Sequence, residues 1–191
     1  MNACSMTSIV FDFDDTLFEM VPNMLPFANK MFQTGIRYED CYTFNLSLLF
    51  GRTDDEIDHM FHQFCMSDDH KKMVPTPGMH KALQYVSSKY NAVHIATARK
   101  SKAEIARSMH NALVQHDMMK YMQRVFMGSS KGAVCKRVGA VAFVDDAPHN
   151  IEDVATDSPK TTRILVDRPW NQDYKEDVIR ITSGYDILNI L

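Results

Sequence analysis

Short apolar runs alternate with longer amphipathic segments along most of this chain of 191 residues. A run of β-branched and aromatic residues is typical of a buried strand, whereas apolar residues three or four positions apart indicate a helix. The pattern predicts strands at residues 8–12, 92–97, 124–127, 140–144 and 162–166, with a weaker strand at 178–181.

Helical segments are predicted between these strands from residue 77 onward. The first of them carries Met79, Ala82, Leu83 and Val86 on one face. A strand–helix–strand series implies right-handed crossovers and a parallel sheet, and continuously apolar strands imply helices on both faces. The predicted fold class is therefore α/β, with a doubly wound, mainly parallel, Rossmann-like sheet of five or six strands.

The segment that follows the first strand has no strand pattern. An apolar stripe predicts a helix from about Pro22 to Gly35, and residues 38–50 are predicted as a second helical segment. Thr53 and Glu56 form a capping box that starts a third helix. This part of the chain is therefore expected to be entirely helical.

The chain length suits one domain, or one domain with a small insertion. We expect an α/β core made of residues 1–18 and 75–191, with a small all-helical cap of residues 19–74 inserted after strand 1.

Capping residues predict three further helix starts. Thr76 fits the N-cap position with Pro77 as the first helical residue. Ser101 and Glu104 have the spacing of a capping box, and Ser130 fits a third N-cap.

Composition and charge exclude several classes of function. The net charge of −3 provides no general attraction to nucleic acid or to an anionic membrane, so neither is an expected partner. No apolar run approaches the roughly 18 residues of a membrane span, and the first residues lack the pattern of a signal peptide. The four cysteines are far apart without a Cys-x-x-Cys pattern, which favours reduced thiols in a cytoplasmic protein over a zinc site or disulfides. They are Cys4, Cys41, Cys65 and Cys135.

Acidic and hydroxyl side chains stand where three of the predicted strands end. The first strand runs into Asp12 and Asp14, the second ends at Thr97, and the fourth ends in Asp145 and Asp146. Because ligands bind outside the carboxyl ends of parallel strands, we expect these side chains in one crevice. Carboxylates are costly to desolvate, and Mg²⁺ prefers oxygen ligands. The pattern therefore predicts a magnesium site.

These residue types match the needs of phosphoryl transfer, which are a nucleophile, a proton donor and cations around the charged oxygens. Asp12 fits the nucleophile that forms an aspartyl-phosphate. Asp14 fits the general acid and then the base for the hydrolytic water. Thr97 offers a hydroxyl group to a phosphoryl oxygen, and Asp146 with Asp12 fits the Mg²⁺ ligands.

A lysine is expected to let Asp12 approach an anionic phosphate. Lys131 stands at a predicted helix start, where free backbone N–H groups also lie. Lys136 is one helical turn further on and equally fits a solvated helix residue. We favour Lys131 because the first turn points back toward the strand ends.

The order of these residues resembles that of the haloacid dehalogenase (HAD) superfamily of phosphohydrolases. The first motif of that superfamily matches residues 9–17, Ile-Val-Phe-Asp-Phe-Asp-Asp-Thr-Leu, and the second matches residues 94–99, His-Ile-Ala-Thr-Ala-Arg. The third motif, a Lys that opens a helix, is best matched by Lys131. The fourth matches residues 143–150, Phe-Val-Asp-Asp-Ala-Pro-His-Asn.

The resemblance implies a Mg²⁺-dependent phosphatase. It implies that the main-chain carbonyl of Asp14 completes the metal shell and that Thr97, Ala98 and Lys131 bind the phosphate. It also implies that the helical stretch is a cap that closes over the site.

Two positions depart from the superfamily pattern, and two arginines are further candidates. Asp15 stands where many members have Gly, so the turn after strand 1 is one place where this chain can differ in conformation from the superfamily. Asn150 stands where many members have a second acidic residue, which leaves Asp145 or a water to complete the outer shell.

Arg99 is a candidate phosphate contact, and Arg52 lies in a loop that resembles the substrate-facing loop of helical caps.

The aromatic residues of the cap are expected mostly in its core, with one or two able to stack on a base. His149 is expected at the surface, and Trp170, the only Trp, fits either a loop anchor or a wall of the site. The cap aromatics are Phe27, Phe32, Tyr42, Phe44, Phe61 and Phe64.

The predicted function is hydrolysis of a small soluble phosphate ester, with a 5′-nucleotide or deoxynucleotide as the first choice. A sugar-phosphate phosphatase or a phosphoglucomutase-like enzyme is the alternative. A phospho-accepting receiver domain would need an Asp at the end of strand 3, where Met127 and Gly128 stand. A catalytically inactive binding protein is disfavoured because Asp12 and Asp14 are both present. The sequence predicts no oligomeric state.

Overall fold

The computed structural model describes residues 7–191, so Cys4 lies outside the described residues. Within them, one parallel sheet is formed by six strands. These are β1 (Ser8–Phe11), β2 (Ala92–Thr97), β3 (Arg124–Met127), β4 (Ala140–Asp145), β5 (Thr162–Val166) and β6 (Ile179–Ile181). Their order across the sheet is β3-β2-β1-β4-β5-β6. The predicted fold class is confirmed, and the weak strand near the end of the chain is real.

The central strand of the sheet is β1, which is buried on both faces. Val10 pairs with His94 of β2 on one side and with Phe143 of β4 on the other. Ile9 and Phe11 face one side of the sheet and Val10 the other, and all three side chains are fully buried. The carboxyl end of β1 therefore lies between those of β2 and β4.

Helices cover both faces of the sheet. On the face of Ile9 lie α5 (Met79–Lys89), α6 (Ala103–Gln115) and α9 (Gly184–Ile190), and on the face of Val10 lie α7 (Lys131–Val138) and α8 (Pro148–Asp157). None of the helices within residues 7–191 has the length and apolar character needed to cross a membrane.

A helical insertion separates β1 from α5, as predicted. It contains α1 (Met20–Phe32), α2 (Leu46–Phe50), α3 (Asp54–Met66) and α4 (Asp68–Lys71). The prediction of one helical segment over residues 38–50 was wrong. Only a 3₁₀ turn at Tyr38–Asp40 and the short α2 form there, because the Asn45 side chain accepts a hydrogen bond from the Leu48 amide and starts a new helix.

Of the four helix caps predicted from the sequence, two are confirmed and two were wrong. The Thr53 capping box and the Ser130 N-cap are both present. In contrast, α6 begins at Ala103 without a side-chain cap, because Glu104 lies 3.3 Å from His62 of the insertion instead.

The predicted start of α5 at Thr76 and Pro77 was also wrong. The helix begins at Met79 after Gly78, whose φ of 80° is accessible to glycine without strain. A Cβ atom on Gly78 would lie 2.5 Å from the Tyr185 nitrogen, so the start of α5 packs backbone to backbone on the start of α9. Thr76 instead accepts a hydrogen bond from Arg168.

One arginine from beyond β5 fastens both chain segments that connect the insertion to the core. Arg168 donates from Nε to the Asp15 carbonyl at 2.8 Å and from Nη2 to Glu19 at 3.0 Å. The same Nη2 donates to the Thr76 hydroxyl at 3.0 Å. Arg168 is buried, so this clamp ties the outgoing and the returning connection to the loop after β5.

Candidate active site

A cleft of about 190 Å³ opens at the carboxyl edge of the sheet, between the core and the insertion. Its floor is made by residues that follow β1, β2 and β4, and its upper wall by residues of the insertion. The lining includes Asp12, Asp14, Asp15, Thr97, Ala98, Asp146, Met20, Val21, Phe44, Leu46, His149, Asn150 and Trp170.

Asp12 lies at the floor of this cleft, where β1 ends. Its amide donates to the Val144 carbonyl at 2.9 Å, which continues the pairing of β1 with β4. Its buried carboxylate accepts a hydrogen bond from Lys131 Nζ. Burial raises the pKa of Asp12 to about 8, against the opposing effect of Lys131 and with a further increase from Asp145.

Lys131 is the first residue of α7 and is almost completely buried. Its ammonium group donates to Asp12 and to the Ala96 carbonyl, and it lies 3.8 Å from the Asp145 carboxylate. Burial alone lowers the pKa of Lys131, but Asp12 and Asp145 raise it above its ordinary value, so the side chain stays charged. Lys136 is exposed on the outer side of α7.

Asp14 forms a two-pronged ion pair with Arg99, which follows β2. Nε of Arg99 donates to Oδ2 at 2.8 Å and Nη2 donates to Oδ1 at 2.7 Å. The arginine side chain is 1% exposed and the Asp14 side chain 19%. The expected contact of Arg99 with phosphate is not supported by this geometry, because its guanidinium is enclosed by protein groups.

Asp145 lies behind the cleft rather than in it. It is fully buried, and it accepts hydrogen bonds from the Ala147 amide at 2.8 Å and from Asn150 Nδ2 at 3.0 and 3.1 Å. Asn150, which departs from the superfamily pattern, therefore holds the carboxylate that faces Lys131. This arrangement makes Asp145 a support for the lysine.

Asp146 is a buried carboxylate without an ion pair to Lys or Arg in the part of the chain described. Trp170 Nε1 donates to its Oδ2 at 2.8 Å, and the Thr16 hydroxyl lies 3.4 Å from its Oδ1. Asn171 donates to its main-chain carbonyl at 2.8 Å. Burial, with repulsion from the neighbouring carboxylates, raises the pKa of Asp146 well above its ordinary value.

The donor chemistry of the cleft suits a divalent cation. Within residues 7–191, no three His, Cys, Asp or Glu side chains converge as a ready-made chelate. Mg²⁺, however, is usually held by one or two carboxylates and keeps several waters. Asp12 and Asp146 line the same cleft, and the negative charge of Asp12 adds to the raised pKa of Asp146, an effect that a bound cation would offset. The residues present therefore fit Mg²⁺.

Thr97 and Ala98 lie beside Asp12 at the end of β2. The Thr97 hydroxyl oxygen accepts a hydrogen bond from the Arg99 amide at 3.2 Å, which leaves its proton free for another acceptor. Both residues line the cleft.

The structure does not bring Arg52 to the cleft. Its guanidinium lies 5.2 Å from the centre of the Phe32 ring and donates to the Phe32 carbonyl at 3.3 Å. Arg52 is exposed on the insertion, where it caps the end of α1.

Asp15, which was given no site role, and Trp170, which was left open between a loop anchor and a wall of the site, both line the cleft. Asp15 adopts a φ of 52°, the conformation that Gly commonly supplies, so the turn keeps its shape with Asp. Its carboxylate accepts from the Val21 amide at 3.0 Å and so caps the start of α1. Trp170 both anchors its loop and forms a wall, through Asp146 and an edge-to-face contact with Tyr38.

An aromatic pair formed between the insertion and the core lines the cleft. Phe44 of the insertion stacks on His149 of the core, with ring centres 4.6 Å apart. His149 is exposed, as expected, but the expectation of a plain surface residue missed this contact. Tyr42 and Phe44 are exposed, whereas Phe64 lies in the core.

The six-stranded parallel sheet with its helical insertion is an HAD-like fold, the fold of the class of HAD-superfamily hydrolases. A predicted phosphoglycolate phosphatase from Haemophilus somnus 129PT superposes with a TM-score of 0.68 at 16% identity, covering 95% of this chain and 96% of that one. A predicted phosphatase from Clostridium acetobutylicum gives 0.67 at 11% identity, covering 97% and 98%. The putative HAD-hydrolase YfnB from Bacillus subtilis, bound to magnesium, gives 0.60 at 12%, covering 97% and 98%.

The sequence itself defines the family within this class. Residues 5–191 match the family described as 5′ nucleotidase, deoxy (pyrimidine), cytosolic type C protein (NT5C). The chain belongs to this family of HAD phosphatases. Comparison of the sequence with curated proteins gives no match.

Proposed function

We propose that this chain hydrolyses 5′-deoxynucleotides to deoxynucleosides and inorganic phosphate through a phosphorylated Asp12. The family to which it belongs supports the substrate class. The single observation that carries the catalytic assignment is the contact of Asp12 with Lys131 at the floor of the cleft, beside Asp14.

In the first step a carboxylate oxygen of Asp12 attacks the phosphorus atom of the ester. The bond between phosphorus and the 5′-oxygen breaks, and that oxygen takes a proton from the Asp14 carboxyl group. Lys131 offsets the negative charges of the Asp12 carboxylate and of the phosphate ester that it attacks. Thr97 donates a hydrogen bond from its hydroxyl group to a phosphoryl oxygen. The deoxynucleoside then leaves.

In the second step water attacks the phosphorus atom of the aspartyl-phosphate. The Asp14 carboxylate takes a proton from that water, the bond between phosphorus and Asp12 breaks, and phosphate leaves. Both carboxyl groups return to their starting states, so the cycle balances.

Asp12, Asp146 and the main-chain carbonyl of Asp14 would hold Mg²⁺, as the resemblance to the superfamily implies. The magnesium bound to the Bacillus subtilis relative supports the choice of metal. When bound, the ion would neutralise charge on the phosphoryl oxygens. Asp146 otherwise lacks a positive partner among the described residues, which is the observation on this chain that favours the assignment.

The helical insertion acts in this proposal as a cap of residues 19–74 over a core of residues 1–18 and 75–191. Phe44, His149 and Trp170 line the side of the cleft where the nucleoside would lie, and planar aromatic side chains suit a planar base. The family description and the free thiols of Cys41, Cys65 and Cys135 favour a cytosolic location.

The test is phosphate release from a panel of deoxynucleoside monophosphates, ribonucleotides and sugar phosphates, with Mg²⁺ present. We expect turnover of 5′-deoxynucleotides by the wild type, loss of turnover in Asp12→Asn, and unchanged turnover in Asp173→Asn, a matched change at an exposed carboxylate. Full activity of Asp12→Asn would remove Asp12 as the nucleophile. Turnover of sugar phosphates without nucleotides would overturn the substrate class.

A further inference from the structure

We propose that Arg99 is a positioning residue for Asp14 and that the helical insertion holds Arg99 in place. This inference rests on the proposed function, in which Asp14 donates a proton to the leaving oxygen. The contacts involved run from residues of the insertion through Arg99 to Asp14, and Arg99 itself does not contact the substrate.

The guanidinium of Arg99 fixes the plane of the Asp14 carboxylate. Both Asp14 oxygens accept from it, at 2.7 and 2.8 Å, in the parallel geometry of a fork. A carboxylate has about four lone-pair sites, so this fork leaves the outward ones free. The Asp14 side chain lines both the cleft and a neighbouring cavity beside Phe61. The fork therefore fixes the carboxylate plane while Asp14 stays at the wall of the cleft, where an ester would lie.

The insertion encloses the other side of Arg99. Its guanidinium carbon lies 4.8 Å from the centre of the Phe13 ring in the core and 5.2 Å from the Phe61 ring of α3. Nη1 donates to Nε2 of His70 at 3.2 Å and to the Cys65 sulfur at 3.7 Å. Phe61, Cys65 and His70 all belong to the insertion, whereas Arg99 and Asp14 belong to the core.

His70 is suited to accept this hydrogen bond. It is buried, and burial together with the charge of Arg99 lowers its pKa to about 4. The ring is therefore neutral near pH 7, and because the Arg99 guanidinium can only donate, Nε2 is the ring nitrogen that carries the lone pair.

Closure of the insertion thus completes the environment of the proton donor. With the insertion in place, Arg99 has aromatic faces on both sides and acceptors for all three of its nitrogens. If the insertion swings away, Arg99 loses Phe61, Cys65 and His70 together and becomes hydrated, and its hold on Asp14 weakens.

Two esters of nearly equal shape separate positioning from a merely structural role. The p-nitrophenolate of p-nitrophenyl phosphate leaves without a proton, whereas the alkoxide of p-nitrobenzyl phosphate needs one. The measured quantity is kcat/KM for each ester, since it reports the steps up to release of the alcohol. A loss of folded protein lowers both values equally and leaves their ratio unchanged.

We expect Arg99→Met and Arg99→Lys to lower kcat/KM for the benzyl ester at least about tenfold more than for the phenyl ester, within the range that general acid catalysis supplies. Lys keeps the charge but loses the fork, so its ratio should lie between those of wild type and Arg99→Met. Phe61→Leu, which changes only the insertion, should shift the ratio in the same direction by less. Arg37→Met removes an exposed fork to Asp40 of the same geometry and should leave the ratio unchanged.

An unchanged ratio in both Arg99 variants would overturn the positioning role. An unchanged ratio in Phe61→Leu, with shifts in the Arg99 variants, would overturn the part played by the insertion. If Arg99→Met does not fold, Arg99→Lys and Phe61→Leu decide. A wild type that hydrolyses neither ester would contradict the proposed function instead.

Discussion

Replacing Trp170 with Phe removes one hydrogen bond from Asp146 and little else. The indole Nε1 donates to Asp146 Oδ2 at 2.8 Å, and the Thr16 hydroxyl is a longer contact of 3.4 Å on the other oxygen. Phe keeps an aromatic ring against Tyr38. The change therefore tests whether the indole holds this carboxylate in position for a cation.

The expected loss follows from the kind of bond removed. A hydrogen bond to a charged group contributes about 1.5 to 3 kcal/mol, and 1.4 kcal/mol corresponds to about tenfold in an equilibrium constant. Part of this energy returns when water solvates the partly open cleft. We therefore expect the dissociation constant of the metal to rise by about ten- to a hundredfold, the range typical of partners that orient metal ligands.

The assay is titration with Mn²⁺, a substitute for Mg²⁺ whose free concentration is read by electron paramagnetic resonance. Wild type and Trp170→Phe are compared, with Tyr42→Phe as a control at an exposed aromatic residue. Because Trp170 is the only Trp, its fluorescence in the wild type should also be quenched as the paramagnetic ion binds.

Equal Mn²⁺ affinities of the wild type and Trp170→Phe would refute the reasoning that this bond orients a metal ligand. Binding of Mn²⁺ without any quenching of Trp170 would go further and remove Asp146 from the metal site.

Three further predictions concern other parts of the molecule. His70 has a pKa of about 4 in the folded chain against 6.5 as its ordinary value, so the unfolded chain binds the proton first and stability is lost as pH falls from 6.5 toward 4. Urea unfolding should show a loss of about 2 kcal/mol between pH 7 and pH 5 that is absent in His70→Gln; equal slopes would contradict this. Gly184→Ala should lower the melting temperature by forcing a Cβ atom to 2.4 Å from the Gly78 backbone, at a cost of about 1 to 3 kcal/mol, whereas Gly35→Ala, with open space around it, should not. Lys131→Met should lower kcat/KM at least about a hundredfold and Lys136→Met should not; a reversed order in phosphate-release assays would exchange their roles.

Local patterns in the sequence were sufficient for the sheet and for the floor of the cleft. The strands are short apolar runs, and the rule that ligands lie at the carboxyl ends of parallel strands places Asp12, Thr97 and Asp146 together. The capping residues were less informative. Thr76 and Glu104 have the side chains of helix starts but are used in contacts with Arg168 and His62, which lie far away in sequence.

The surroundings of Asp14 could not be predicted in the same way. The ion pair with Arg99 depends on how α3 and α4 pack over the loop after β2. No sequence pattern near position 99 predicts that packing. The position of Trp170 beside Asp146 would have been easier to predict. The reason is that β5 lies next to β4, so the loops after both strands lie at the same edge of the sheet. The strand order, which the sequence did not specify, was the missing information.

The Arg168 clamp has a consequence for the order in which a nascent chain can acquire its structure. The central strand and the entire insertion leave the ribosome early, yet β4 follows only near residue 140 and the clamp only at residue 168. Until then both connections at Asp15 and Thr76 lack their common anchor. The seating of the insertion over the strand ends therefore waits until Arg168 has been made and has reached both connections.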